Sequence, residues 1–404
     1  MNIAPQPINE HQPTVDWLMI VGVVGLMIIG VCFIYSATMV NESLSALPWY
    51  RQLYLMQIAW YSIGVTAAVC LCLIDYHALA RWSLVIYWAT ILLLIAVLIP
   101  KIGSMVFGAR RWIDLGFFKV QPSEFAKLAF IFAQAHFLSR PPDELKLGNV
   151  FWKAIGLLLL PFVLIMREPD LGSALILLPV GLTMLYVAGV PVQYLRRLMG
   201  AAACVVALIL VDVLFAPPKW QIRLEEYQKR RLLVYFGRDF APFGATAAQK
   251  AEARRQLRDH SYNVDQALIS VGSGGLFGRG WRQGTQNALG YLPRAVAHND
   301  FIFSVIAEEK GFMGSVMVVA LYSVVLFTGI RIAGQTRDRL GKLLAVGVVA
   351  MLFSHVFINI GMNIRLMPVT GVPLPLLSYG GSSVLCSLIA AGILQNVYLY
   401  RRSY

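Results

Sequence analysis

One carboxylate stands at a junction. Asp300 closes the stretch Ser270 to Gly314, which opens glycine-dense, turns polar and basic, and runs straight into Phe301, Ile302 and Phe303. A carboxylate within hydrogen-bond reach of an attacking hydroxyl can take its proton, which is general-base chemistry. Asp is also a favoured helix N-cap, and Asn299 could do the same job. Residue chemistry alone divides Asp300 between cap and base, and the two roles are compatible. His298 is a further polar neighbour. No Ser or Cys nucleophile with a matching base is evident, so a covalent intermediate is not indicated.

Other polar groups interrupt apolar sequence. Glu124 and Lys127 are spaced i, i+3 and can pair on one helix face. Charges at membrane depth are costly and turn toward a cavity or each other. Ser123 is expected to cap a helix starting at Glu124, with Pro122 ahead of it. The glycines and Pro122 mark Gly108 to Lys127 as re-entrant or tightly turned. In Arg167 to Gly172, Asp170 is expected to cap the following helix or to offer a second carboxylate. Gly272, Gly274, Gly275, Gly278, Gly280 and Gly284 could present N–H groups to phosphate, with Arg279, Arg282 and Arg294 as counter-charge. The run lacks the Lys-Ser/Thr ending of a P-loop and no strand precedes it, so a nucleotide site is not indicated. Three prolines (Pro368, Pro373, Pro375) and three glycines (Gly371, Gly380, Gly381) forbid a continuous helix over Met362 to Ser383. Such irregular backbone suits a cavity wall or a rigid loop.

The elements that must position these groups are membrane helices. The chain of 404 residues is 58% hydrophobic and 14% charged, where soluble domains carry about 25% charged residues. Mean hydropathy is +0.66. An apolar run of about 20 residues crosses a bilayer as a helix. About ten such spans fit: Trp17–Thr38, Tyr50–Ile74, Ser83–Pro100, Glu124–Leu138, Val150–Met166, Leu171–Val187, Leu198–Phe215, Phe312–Ile330, Leu343–Met362 and Ser382–Tyr400. The expected fold class is an all-α polytopic membrane protein. One large polar loop, 216–300, lies between the seventh and eighth spans of a single domain, 1–404. Within the loop, Glu225 to Val234 and Ala247 to Arg258 read as amphipathic or polar helices, with breaks at Pro217, Pro218 and Pro242.

An even span count puts both termini on one side. Arg81, Arg140, Arg196, Arg197, Arg331 and Arg401 mark that side as cytoplasmic, although Lys101, Arg110, Arg111 and Lys119 crowd the other. Met1 to Asp16 has no Lys or Arg, so a cleaved signal peptide is not expected. Cys32, Cys70, Cys72, Cys204 and Cys386 lie in apolar runs without CxxC spacing and read as packing residues. The net charge of +13 fits an anionic partner, lipid headgroup or phosphate. Nucleic acid is not expected.

The chain resembles the SEDS family of bacterial cell-wall proteins, the FtsW/RodA family, across nearly its whole length. The resemblance is carried by GARRWIDLG and QPSEFAKL (Gly108 to Leu128), REPDLG (Arg167 to Gly172), VGSGGLFGRGWRQGTQNALGYLP (Val271 to Pro293), NDFIFSVIAEEKGFMG (Asn299 to Gly314), and NIGM followed by MPVTGVPLPLLSYGGSS (Asn359 to Ser383). GTQ, AEE and NIGM look closer to its RodA branch. The resemblance implies a ten-helix peptidoglycan glycosyltransferase of the inner membrane that acts on lipid II at the periplasmic face. It implies a class B penicillin-binding protein transpeptidase and other elongation-complex proteins as partners. By motif position Asp300 is the essential acid. Arg111, Gln121, Ser123, Glu124, Lys127, Asp170, Gln286 and His298 form the expected substrate-binding set. Asn299 departs from the family's usual Thr, Asp265 from an amide or small polar residue, and Ala245 to His260 looks like an insertion.

The expected reaction is inverting transfer with undecaprenyl pyrophosphate leaving, its charge met by cationic groups or by a divalent cation, magnesium or manganese. The rival is a lipid II flippase. Broken helices and intramembrane charges also suit transport, which places polar groups near the bilayer midplane.

Overall fold

The computed structural model describes residues 15–39, 48–106, 109–114, 116, 118–215, 226–237, 247–292 and 296–401. Pro217, Pro218, Pro242 and Arg294 lie outside them. Lipid offers no partner to backbone N–H and C=O groups, so each apolar run satisfies its own as a helix. The long apolar helices are α1 (Trp17–Met39), α2 (Leu53–Cys72), α4 (Ser83–Leu98), α5 (Pro122–Leu138), α7 (Gly148–Arg167), α8 (Leu171–Ala188), α9 (Val192–Phe215), α13 (Ile302–Gln335), α14 (Arg339–Asn363) and α15 (Gly381–Tyr400). Short helices α3 (Tyr76–Arg81), α6 (Pro142–Leu145) and α12 (Thr285–Ala288) lie between them, and α10 (Glu226–Phe236) and α11 (Ala247–Ser273) form in the large polar segment.

Every run expected to span is helical. Among the described residues, eight helices are long and apolar enough to cross a membrane by length and composition. The two others are shorter, with 16 residues in α4 and 17 in α5. Helix α5 is buried nearly all round, as expected of a helix at the centre of a bundle rather than at its lipid surface. It packs against α4, α8 and α14. Helix α15 is buried almost throughout and lies against α2, whereas α9 is hardly buried.

Two features depart from the sequence reading. The sequence reading did not foresee a three-stranded antiparallel sheet, β1 (Gly103–Val106), β2 (Ala109–Asp114) and β3 (Lys119–Val120), and of the two readings of Gly108 to Lys127, re-entrant or tightly turned, its antiparallel pairing fits the second. Ser104 pairs with Trp112 and Met105 with Arg110, which leaves Arg111 as the extra residue of a β-bulge. Such a bulge bends the strand and re-aims a side chain. The polar helices are also longer than expected. The second runs to Ser273, so 247–260, read as part of an insertion, is the first half of α11.

Helix α13 is two helices joined at Gly311, whose φ of 66° and ψ of −160° break the helical path. The glycine-dense segment closes on that break. The N–H groups of Phe312 and Met313 donate to the carbonyls of Gly275 and Leu276 at 2.8 and 3.1 Å, while those of Arg279 and Gly280 donate to the carbonyls of Glu308 and Glu309, both at 3.0 Å. A Cβ on Gly278 or Gly311 would collide with the opposing backbone. The glycines therefore permit backbone-to-backbone approach at a kink. The N–H groups of Gly278 and Gly280 are occupied by the carbonyls of Gly274 and Glu309, so these two do not serve as a phosphate cradle.

Candidate active site

A cavity of about 710 Å³ opens where β2 and β3, helices α10 and α11, residues 296–301 and residues 365–371 converge. Asp300, Arg111, Lys119, Arg231 and Arg365 are its charged lining residues. Arg111 reaches it through the bulge in β2. The Arg111 Nε donates to the Glu168 carbonyl at 3.2 Å and an Nη bonds the Pro169 carbonyl, which fixes the guanidinium.

Asp300 does not cap a helix. Helix α13 starts at Ile302, its N-cap is Phe301, and no side chain caps it. The carboxylate is thus left to the cavity. Its backbone is held instead. The Asp300 carbonyl accepts from the side-chain amides of Asn359 at 3.0 Å and Asn363 at 3.1 Å. The Asn299 carbonyl accepts from Ser378 Oγ at 2.6 Å, and the His298 carbonyl from the Tyr379 N–H at 3.0 Å. Three successive carbonyls outside regular helix are each satisfied. The Pro- and Gly-rich segment supplies Ser378 and Tyr379, so it is a cradle for the loop that carries Asp300. Gly371, at φ 72°, lies beside the acid, and a Cβ there would come 3.5 Å from Asp300 Oδ2.

Burial pushes the Asp300 carboxyl up to about 6, Arg111 and Arg231 pull it down, and Asp170 adds to the rise. Desolvation opposes the charged form and the arginines favour it. The result is an acid still mainly ionised at neutral pH, yet more basic than an ordinary aspartate.

A second network adjoins the first through Arg111. Asp170 Oδ2 accepts from Gln121 Nε2 at 2.9 Å and from Ser123 Oγ at 3.2 Å. Its Oδ1 caps α8 through the Ser173 N–H at 3.2 Å and lies 4.0 Å from Arg111 Nη1. Asp170 is the expected cap. Ser123 is not, because α5 begins at Pro122 with Gln121 as N-cap and no side-chain cap. Beside them Glu168 is fully buried, and burial and the Asp170 charge push its carboxyl up to about 9. It is therefore neutral at physiological pH.

A third network lies within the bundle. Lys127 Nζ contacts Glu124 Oε1 at 2.7 Å and His355 Nε2 at 2.8 Å, and all three side chains are buried. This is the expected i, i+3 pair, with a histidine from α14 added.

Of the eight expected substrate-binding residues only Arg111 lines the Asp300 cavity, and two, Gln286 and His298, lie outside all three networks. The Gln286 N–H donates to Glu308 Oε1 at 2.9 Å, beside the contact of Ser36 Oγ with Glu309 Oε1 at 2.5 Å. Gln286 thus belongs to the clip that holds the glycine segment on α13. The His298 ring packs edge-on to Tyr379 at 5.7 Å, and burial lowers it to about 4, so it is neutral. Neither lines the Asp300 cavity. Arg282 lies over the Tyr35 ring, 5.5 Å from its centroid, rather than at an anion. Asp265, one of the departures noted in the sequence, pairs with Arg365 at 2.6 Å.

The sequence reading missed Arg231, Asn359, Asn363, Ser378 and His355 as site residues. Asn359 and Asn363 carried a usable signal, being two amides four apart in an apolar helix and so on one face. Arg231 carried none, since it ends a basic run, Lys229 to Arg231, that reads as the polar face of a surface helix. Among the described residues, no group of three or more His, Cys, Asp or Glu is placed to hold a metal ion.

Residues 16–403 match the family model of the cell cycle proteins FtsW, RodA and SpoVE. The peptidoglycan glycosyltransferase MrdB of Escherichia coli (strain K12) is 34% identical over 348 residues, covering 86% of this chain and 85% of that protein. The stage V sporulation protein E of Bacillus subtilis (strain 168) is 35% identical over 392 residues, covering 96% and 98%. A solved structure described as the structural coordination of polymerization and crosslinking by a peptidoglycan synthase complex is similar with a TM-score of 0.74 and 26% identity, over 96% of this chain and 99% of that one.

Proposed function

From the premise that the chain belongs to the FtsW/RodA/SpoVE family, we propose that it is a peptidoglycan glycosyltransferase that polymerises lipid II. One observation carries the reading: a carboxylate released from helix capping, held by its backbone at the wall of a cationic cavity. The acceptor sugar's 4-hydroxyl attacks the anomeric carbon of the growing chain. Asp300 takes the hydroxyl proton as the new C–O bond forms. The bond from the anomeric carbon to the phosphate oxygen breaks, and its electron pair leaves with undecaprenyl pyrophosphate. One base and no covalent intermediate give inversion from α to β, by analogy with inverting glycosidases.

The charged lining of the cavity is four cations and one carboxylate. That donor set suits an anion and not a resident divalent cation, so Arg111, rather than a metal, is given the leaving-group charge. Arg111 is the binding residue at the cavity wall next to the base, and Gln121, Ser123 and Asp170 form the polar network behind it. The site faces the periplasm and both termini are cytoplasmic. The role in elongation is supported by the GTQ, AEE and NIGM motifs, and the class B penicillin-binding protein partner by the likeness to a synthase complex.

The test is glycan formation from lipid II by the purified protein, with and without chelator. Asp300→Ala is expected to abolish it in a protein that still elutes as folded. Retained polymerisation would overturn the assignment. The buried Glu124–Lys127–His355 group favours one other reading, a flippase, because ionisable residues inside a bundle often mark transport paths. A flippase would move labelled lipid II across vesicles and form no glycan.

A further inference from the structure

Helix α2 is built inside out. Its buried residues are Gln57, Tyr61 and Gly64, while Ile58, Ile63, Val65 and Val69 are exposed. Gln57 and Tyr61 are spaced i, i+4 and share one face. A helix that offers its apolar side chains to lipid and turns polar ones inward must find partners for them in the bundle. Those partners are backbone groups of one turn, Pro375 to Gly380. The Tyr61 hydroxyl donates to the Leu376 carbonyl, and the Tyr322 hydroxyl, from α13, donates to the Pro375 carbonyl. Gln57 Nε2 donates to the Ser378 carbonyl at 3.2 Å, and its Oε1 accepts from the Gly380 N–H at 3.4 Å.

The turn needs this support. Leu376 sits in the left-handed region at φ 64°, a conformation that a leucine keeps only where its surroundings hold it. The fit is close, because a Cβ on Gly30 of α1 would come 2.6 Å from both the Leu376 carbonyl oxygen and the Tyr61 hydroxyl. The far side of the same turn carries the bonds to the Asp300 loop. Ser378 Oγ accepts from the Leu374 N–H at 2.8 Å and donates to the Asn299 carbonyl, and the Tyr379 N–H donates to the His298 carbonyl. Helices α2 and α13 thus hold one side of the turn, and residues 298 and 299 hang from the other.

We propose that Gln57, Tyr61 and Tyr322 are positioning residues for the transfer: they fix the Pro375–Gly380 turn, and the turn fixes the main chain beside Asp300. The proposal rests on the reading of Asp300 as the general base. None of the three lines the Asp300 cavity. They set where the carboxylate stands relative to a bound hydroxyl, and a misplacement of about 1 Å can cost on the order of a hundredfold in rate.

The experiment uses the full-length protein in detergent, with lipid II as substrate. Tyr61→Phe removes one hydroxyl and keeps the ring. Its kcat is expected to fall roughly five- to 150-fold, the range for one buried carbonyl left unpaired, with KM for lipid II little changed. Tyr322→Phe and Gln57→Leu should behave alike, and Tyr322→Phe carries the test if Tyr61→Phe does not fold. Ser62→Ala, on the exposed face of the same helix, should leave both parameters unchanged. Hydrogen–deuterium exchange supplies a readout without turnover. The N–H groups of Asn299, Asp300 and Phe301 donate to the Val296 carbonyl, so they should exchange faster in Tyr61→Phe, whereas amides of α8 should not. Wild-type kcat in a folded Tyr61→Phe overturns the proposal. So does exchange raised as much in α8 as in 296–301, which would mean general loosening. If the wild type forms no glycan, the glycosyltransferase reading fails. Faster exchange confined to 296–301 and 374–380 then still supports the link from α2 to that loop, and unchanged exchange overturns it.

Discussion

At the scale of single residues, the useful property of Asp300 is where its proton affinity sits. Burial raises its carboxyl from the ordinary aspartate value of 3.8 to about 6 against the pull of Arg111 and Arg231. A base works ionised, so turnover should rise with pH. The expected profile of kcat/KM from purified lipid II is an ascending limb with its midpoint near 6 and a plateau above 7. An aspartate left in water would place that limb near 4. A midpoint near 4, or a rate independent of pH between 5 and 8, would contradict the role. Next to it, Glu168 is a carboxyl kept neutral by burial. Two acids that both feel Arg111 thus take opposite charge states, because burial and the Asp170 charge raise Glu168 further while Arg111 and Arg231 together hold Asp300 down.

Three elements turn a lone acid into a site. The bulge in β2 aims Arg111, the start of α13 leaves Asp300 uncapped, and α14 supplies the amides that fix its carbonyl. Asn359 is the most economical probe of this arrangement, because its amide also donates to the Val372 carbonyl at 2.7 Å. Asn359→Leu leaves a buried acceptor unpaired, at a cost of about 1–3 kcal/mol. If that falls on the position of Asp300, polymerisation should drop roughly five- to 150-fold without loss of the folded peak in size exclusion. Unchanged polymerisation would mean that Asn363 alone suffices. Helix α13 and the glycine segment belong together for another reason. The positive φ of Gly311 opens the helix, and the loop's N–H and C=O groups fill the gap. The glycines that looked like a phosphate cradle answer a backbone problem 8 to 13 residues after Asp300.

On the scale of the molecule, the buried Glu124–Lys127–His355 group couples α5 to α14. Removing one partner of a buried pair strands the other charge and costs about 3–5 kcal/mol, while replacing both by apolar groups is often neutral. Lys127→Met should therefore lower the thermal unfolding temperature in detergent, and Glu124→Gln added to it should restore most of the loss. Equal melting of the single and double variants would mean the pair carries no such strain.

The helices were legible in the residues because the signal is local: an apolar run must satisfy its own hydrogen bonds wherever it lies. So were the acids, since Asp170, Glu124 and Asp300 interrupt sequence that lipid would otherwise favour. The pairing of Glu124 with Lys127 followed from helical spacing alone. The partners across the chain were not legible. Nothing local tells that Asp300 meets Asn359 and Asn363, that Arg111 is the bulged residue, or that Arg231 comes from 69 residues upstream to share its cavity. Those meetings depend on how the helices cross and where a sheet bends. Spacing along the chain decides which residues share a helix face, whereas packing of distant elements decides which faces enclose a site.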